Sequence, residues 1–193
     1  MNSKQKQLLA SINIPNILTI TRIMLTPFFV ICLSKQLFDT ALMTFSIAAA
    51  TDGLDGFLAR YFDQRTRLGA YLDPIADKLL LSASYVSLAF LKIIPTWLTV
   101  IVISRDILIV VGIAIFTMFR ISYEIKPSLV SKCTTFAQFI TILLVLLYTL
   151  MGWNNLMKDA LYWITVSLTI TSGLHYTYVG MNILQNSNFE GHE

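Results

Sequence analysis

The sequence predicts an all-α integral membrane protein, a six-transmembrane-helix bundle with a polar cavity open to the cytoplasm. Three observations predict it. Of the 193 residues, 55% are hydrophobic and only 13% are charged, about half the ~25% charged share of a soluble domain; the mean hydropathy is +0.68. The apolar residues gather into six runs, 16–33, 37–60, 70–91, 95–119, 131–151 and 157–184, each near the ~20 residues a helix needs to cross a ~30 Å hydrocarbon core. The runs are continuous rather than alternating, which argues against a transmembrane barrel. A net charge of +3 is too small to point to nucleic acid, and no nucleic-acid partner is expected.

Taken in order, residues 1–13, "MNSKQKQLLASIN", mix Lys and Gln with Leu and Ile and read as a juxtamembrane segment lying on the membrane surface. Lys4 and Lys6 precede an apolar run that is too long for a cleavable h-region of ~7–15 residues and lacks a small-x-small site, so the run reads as a retained first span. Pro15 suits the first turn of that span, Pro95 opens the fourth, and Pro127 marks the loop before the fifth. Trp153 and Trp163, around the loop before the sixth span, read as interface anchors. Residues 185–193 read as a flexible tail, and 1–193 as one membrane domain without internal repeats. Cys32 and Cys133 lie in or beside apolar runs and behave as small hydrophobes.

Lysine and arginine placement sets the orientation. One side collects Lys4, Lys6, Arg60, Arg65, Arg67, Arg120, Lys126 and Lys132; the other holds Lys35, Lys92 and Lys158. Both termini and the loop after the second span are therefore expected in the cytoplasm, with the protein in the inner (cytoplasmic) membrane. Arg22, Lys78 and Arg105 remain inside spans, where ionisable residues face the bundle interior or a wet cavity.

The stretch "TDGLDGFLARYFDQRTRLGAYLDPIADKLL", residues 51–80, holds five aspartates. Asp52 and Asp55 stand at i, i+3, and Asp73 and Asp77 at i, i+4, so each pair shares one helix face. A hairpin through "YFDQRTR" brings the pairs to one membrane depth, while Asp63 reads as a turn residue. Pro74 is expected in the first turn of the third span. Four converging carboxylates repel one another unless cations intervene. Their hard oxygen donors suit Mg²⁺ or Mn²⁺, two ions being within the capacity of four carboxylates. Gly56 and Gly69 allow a ligand or a neighbouring helix to come close, and Arg60 is placed to meet a negative group. The pattern reads as a metal-dependent phosphate site at the inner membrane surface. Ion or proton translocation also uses buried carboxylates, but does not call for those glycines and Arg60.

The string Asp52-x2-Asp55-Gly56-x2-Ala59-Arg60-x8-Gly69-x3-Asp73-x3-Asp77 resembles the signature of the CDP-alcohol phosphatidyltransferases, with all eight positions at the family spacing. "PNILTITR" in the first span adds to the resemblance; the last two spans match by hydropathy alone. The resemblance implies an enzyme that binds CDP-diacylglycerol and a phosphorylated alcohol acceptor among membrane lipids and works as a homodimer. It implies that Asp52, Asp55, Asp73 and Asp77 ligate metal and that Asp77 is also the general base. It implies further that Gly56, Ala59 and Gly69 pack against the cytidine nucleotide, Arg60 approaches its phosphate, and Asn16 and Thr19 add hydrogen bonds to the CDP-lipid.

Arg22, Arg105 and Lys132 are candidates for a cationic pocket around the acceptor's phosphate, since forked guanidinium donors suit that role. Asp106, beside Arg105, could instead simply balance its charge. The resemblance favours sn-glycerol 3-phosphate as acceptor, giving phosphatidylglycerophosphate. The alternative is phosphatidylglycerol, giving cardiolipin; "ISRD" and "KPSLVSK" are similar to that branch.

Overall fold

A computed structural model describes residues 14–61, 67–118, 129–152 and 156–189. Within those ranges the side chains of 14–17, 52–61, 67–74, 113, 116–117, 156, 184 and 186–189 lie outside the description. The described residues form six helices and no strand: α1 (Ile14–Ser34), α2 (Phe38–Tyr61), α3 (Arg67–Phe90), α4 (Thr96–Met118), α5 (Leu129–Met151) and α6 (Leu156–Phe189). Each coincides with one expected span. The differences lie at the ends. Helix α3 begins at Arg67 rather than at 70, so Pro74 falls inside it rather than in its first turn. Helix α6 runs to Phe189 rather than 184, taking in the start of the expected tail. Its 34 residues span about 51 Å at 1.5 Å per residue, well beyond the apolar thickness of a bilayer.

Two helix ends are closed by the same device. Leu37 N–H bonds the Cys32 carbonyl and Gln36 N–H that of Leu33, both at 2.9 Å, with Gln36 at φ 58°. After α3, Ile93 N–H bonds Leu88 and Lys92 N–H bonds Ala89, at 2.9 and 3.0 Å, with Lys92 also at φ 58°. Both are Schellman turns that place a residue with a side chain where glycine is usual. The short link after α1 turns it back toward α2.

The chain divides into two compact units, Met1–Ile93 with Ile142–Trp153, and Ile94–Thr141 with Asn154–Glu193. In the first, α1 packs against both α2 and α3. Phe29, Leu33, Phe45, Leu80, Tyr85 and Leu88 are enclosed there, and the Phe29 and Phe45 rings meet at 5.6 Å. In the second, α4 packs on α6 around Leu98, Val102, Tyr162 and Val166. Trp97 and Trp163, each in the first turns of its helix, bring their rings to 5.6 Å while staying exposed; that suits the anchoring role expected of Trp163. Trp153 lies outside the described residues.

Polarity is distributed inside out. Thr19, Arg22, Ser84, Thr134, Gln138, Thr141, Thr165, Thr169 and Ser172 are wholly enclosed, whereas Met24, Phe90, Met118, Leu129, Phe136 and Leu174 are each more than 60% exposed. Exposed large apolar side chains in this number suit helices whose outer faces meet lipid. Among the described residues one helix, Leu129–Met151, is by itself long and apolar enough to cross a membrane, and Leu18–Ser34 is a shorter apolar helix. Helices α2, α3 and α4 carry aspartate and arginine within the run, which lowers their hydropathy at the positions that concern function.

Candidate active site

The two halves of the aspartate motif stand on separate helices. Asp52 and Asp55, with Gly56, Ala59 and Arg60, fall in the last turns of α2; Gly69, Asp73 and Asp77 fall in the first turns of α3. Both helices pack against α1, the helix that carries Asn16, Thr19 and Arg22. At 3.6 residues per turn the i, i+3 and i, i+4 spacings keep each aspartate pair on one face. The side chains of Asn16, Asp52, Asp55, Gly56, Ala59, Arg60, Gly69 and Asp73 lie outside the described residues.

Asp77 is described. Its backbone follows the fully buried Ala76, and its own side chain is 29% exposed. Arg22 Nη1 donates to Asp77 Oδ1 in a salt bridge between α1 and α3. The Arg22 side chain is wholly enclosed, so desolvation weighs more on the guanidinium than on the part-exposed carboxylate, and the pairing offsets that cost. Thr19 and Thr26, at i−3 and i+4 from Arg22, extend a polar face along α1, and both are buried. Thr26 Oγ1 donates to the Arg22 carbonyl at 3.0 Å, directly before Pro27, which interrupts the N–H ladder of this helix. Thr19 thus shares the buried face of Arg22.

The second unit holds a separate buried cation. Arg105 on α4 donates from Nη1 to Asp106 at 2.8 Å, from Nη2 to Ser131 at 2.7 Å and to Ser172 at 2.8 Å, and from Nε to Ser172 at 3.3 Å. Its guanidinium also lies 5.9 Å from the Tyr176 ring, within cation–π range. Four of the five guanidinium N–H donors are so engaged. The Asp106 contact realises the balancing role that adjacency suggested. Ser131 and Ser172 had no signal of their own, being ordinary residues of apolar runs; Tyr176 reads from the sequence only as a packing or interface residue. Lys132, next to Ser131, is exposed.

From this cluster a polar seam continues between α5 and α6. Thr134 Oγ1 lies 3.0 Å from the Leu168 carbonyl, Gln138 Nε2 lies 3.4 Å from Thr169 Oγ1, and the Thr141 and Thr165 hydroxyls are 2.6 Å apart. Thr134, Gln138 and Thr141 repeat at i, i+4, i+7, and so do Thr165, Thr169 and Ser172. That matched spacing is a sequence signal for a buried interhelical stripe.

Comparison with known proteins bears on the aspartate motif. The family model described as CDP-alcohol phosphatidyltransferase matches residues 12–171. The human protein named cardiolipin synthase (CMP-forming) is 33% identical over 189 residues, covering 89% of this chain and 63% of that protein. The chain therefore spans less than two thirds of that relative's length. The Bacillus subtilis CDP-diacylglycerol--glycerol-3-phosphate 3-phosphatidyltransferase is 30% identical over 194 residues, covering 91% of this chain and 99% of that one. The Haemophilus influenzae protein of the same name is 38% identical over 181 residues, covering 89% and 95%. With the matched region enclosing both halves of the motif and the helix that packs on them, the chain belongs to the CDP-alcohol phosphatidyltransferase family.

Proposed function

We propose that this protein transfers a phosphatidyl group from CDP-diacylglycerol to sn-glycerol 3-phosphate. The observation that carries the reading is the complete aspartate motif on α2 and α3, in a chain nearly coextensive with relatives named for that transfer. The acceptor hydroxyl attacks the phosphorus that bears the diacylglycerol. A new O–P bond forms, the P–O bond to the cytidylate breaks, and CMP leaves with the bond's electron pair. Asp77 takes the hydroxyl proton. It is reachable, being part-exposed, and a positioned base contributes ~10²–10⁴-fold to such a step.

Asp52, Asp55, Asp73 and Asp77 would hold two ions, Mg²⁺ or Mn²⁺. The fit rests on the donor set: carboxylate oxygens only, two on each of two helices that share α1 as a neighbour. When bound, the ions supply charge neutralisation at the pyrophosphate. Gly56, Ala59 and Gly69 give the cytidine nucleotide close access to backbone, Arg60 meets its phosphate, and Asn16 and Thr19 hydrogen-bond the CDP-lipid. Lys132, which is exposed, is the cation proposed to meet the acceptor's phosphate, whereas Arg105, grouped with it on sequence grounds, has four of its five N–H donors bonded to Asp106, Ser131 and Ser172. Arg22, grouped with them on sequence grounds, pairs with Asp77.

The same reading makes the chain a single membrane domain of six spans with a polar cavity open to the cytoplasm. Its termini and site face the cytoplasm from the inner membrane, and the working form is a homodimer. The support is the six helices at the expected positions, their apolar exteriors and the lysine and arginine bias. Phosphatidylglycerol as acceptor, giving cardiolipin, is the second reading, favoured by the identity to the human cardiolipin synthase.

CMP release by purified protein with CDP-diacylglycerol and Mg²⁺ tests both readings. Release with glycerol 3-phosphate is the expected result. Release with phosphatidylglycerol alone would transfer the assignment to the second reading. Folded protein that releases CMP with neither, yet moves ions across vesicles, would replace both with translocation.

A further inference from the structure

Arg22 is among the largest fully buried side chains of the described residues, yet its charged end meets a carboxylate that is 29% exposed. The two residues are 55 apart in sequence and lie on α1 and α3 of one compact unit. A solute arriving from outside meets Asp77 before it meets Arg22, which is wholly enclosed. That order of access suits a residue that acts through Asp77 better than one that grips a diffusible phosphate.

The local architecture points the same way. A guanidinium bonded to Oδ1 restrains rotation of the carboxylate about its last torsion, so the direction that Asp77 presents is set from α1. The Arg22 backbone is itself braced by the Thr26 hydroxyl, one turn on, where Pro27 breaks the ladder. Leu80 and Leu81, the next turn of α3, are buried and fix the helix that carries Asp77.

We infer that Arg22 is a positioning residue: it orients the Asp77 carboxylate for proton transfer from the acceptor hydroxyl and does not contact the acceptor's phosphate. The inference rests on the reading of Asp77 given under the proposed function. It differs from that reading in what it predicts for the two kinetic constants. Misplacing a catalytic group lowers kcat, by roughly 10²-fold for a displacement of about 1 Å. Losing a ground-state contact to the acceptor raises KM and leaves kcat in place.

The test compares wild type, Arg22→Gln and Arg22→Lys as full-length protein in nanodiscs, at saturating Mg²⁺ and CDP-diacylglycerol, with the acceptor titrated. The expected result is a loss in kcat of roughly 10–10²-fold for Arg22→Gln, an acceptor KM within about twofold of wild type, and partial recovery of kcat in Arg22→Lys. Thermal stabilisation by CDP-diacylglycerol, read without acceptor, stays at the wild-type value in both variants. If Arg22→Gln does not fold, Arg22→Lys decides, because it keeps the cation and changes the fork: lowered kcat with unchanged acceptor KM supports the inference. An acceptor KM raised tenfold with kcat intact would make Arg22 an acceptor contact and overturn it. Wild-type constants in both variants would overturn it as well. Wild-type protein that is folded and releases no CMP with any acceptor would bring down the proposed function, and the inference with it.

Discussion

Arg105 binds Ser172 through two nitrogens, Nη2 at 2.8 Å and Nε at 3.3 Å, and so fastens α4 to α6. Ser131, accepting from Nη2 at 2.7 Å, adds α5 to the same knot. The Arg105 side chain is 4% exposed, and few of its lost hydrogen bonds would be replaced by water. Ser172→Ala is therefore expected to destabilise the protein by about 1–3 kcal/mol, the penalty for leaving buried donors unmatched. Thermal or denaturant unfolding in detergent reads this directly. A variant as stable as wild type would show that Ser172 does not hold Arg105.

The Thr141–Thr165 pair predicts a smaller effect. Each hydroxyl also lies within reach of its own helix, Thr141 at 2.8 Å from the Ala137 carbonyl and Thr165 at 2.9 Å from that of Leu161. Two hydroxyl protons thus serve three contacts, and the one between the helices is 2.6 Å long. Losing it costs about 0.6 kcal/mol, at most ~1.7, by analogy with polar contacts between other membrane helices. Thr141→Val and Thr165→Val are each expected to destabilise by that amount. The double variant should lose less than the two combined, because the second substitution removes a contact already gone. Full additivity in the double-mutant cycle would refute a shared bond.

Hydropathy and proline placement were enough to position all six helices, because an apolar run of span length has few other fates. They misplaced the ends of α3 and α6 for one reason. A helix continues wherever its backbone bonds are satisfied, as from Arg67 and through to Phe189, whereas a hydropathy window stops at the first polar residues. The motif aspartates were legible because their spacing is itself the signal. Arg105 with Asp106 was legible from adjacency. Arg22 and Asp77 were each marked as functional, but their pairing was not, since it depends on how α1 crosses α3. Ser131 and Ser172 were invisible for the same reason, and only the matched i, i+4, i+7 stripes on α5 and α6 offered a hint.

The Arg22–Asp77 pair also complicates the obvious test of the general base. Asp77→Asn removes the proposed base, but it leaves a wholly enclosed guanidinium without its carboxylate. Breaking a buried pair on one side costs about 3–5 kcal/mol; with Asp77 29% exposed, the lower end of that range is expected. Asp77→Asn with Arg22→Met, which removes both charges, should regain most of that stability and none of the CMP release. Unfolding curves for the two variants check it. If Asp77→Asn alone is as stable as wild type, Arg22 does not depend on this carboxylate.

The carboxylate set predicts which cations support turnover. Asp52 and Asp55 stand in the last turns of α2, and Asp73 and Asp77 in the first turns of α3, so the proposed metal site would offer four carboxylate groups and no softer donor from these positions. Mg²⁺ and Mn²⁺ accept a small number of such ligands and leave positions open for phosphate oxygens, whereas Ca²⁺ takes 6–8 oxygens at longer distance. Chelation is expected to abolish CMP release, with Mg²⁺ or Mn²⁺ restoring it and Ca²⁺ failing to. Asp52→Asn and Asp55→Asn each remove one anionic ligand while keeping its shape. Both should raise the Mg²⁺ concentration for half-maximal release and weaken Mn²⁺ binding followed by electron paramagnetic resonance. The binding measurement separates loss of metal from loss of fold, since an unfolded variant loses the bound-ion signal altogether, whereas a weakened site recovers it as Mn²⁺ is raised. Unchanged Mn²⁺ binding in both variants would remove Asp52 and Asp55 from the ligand set.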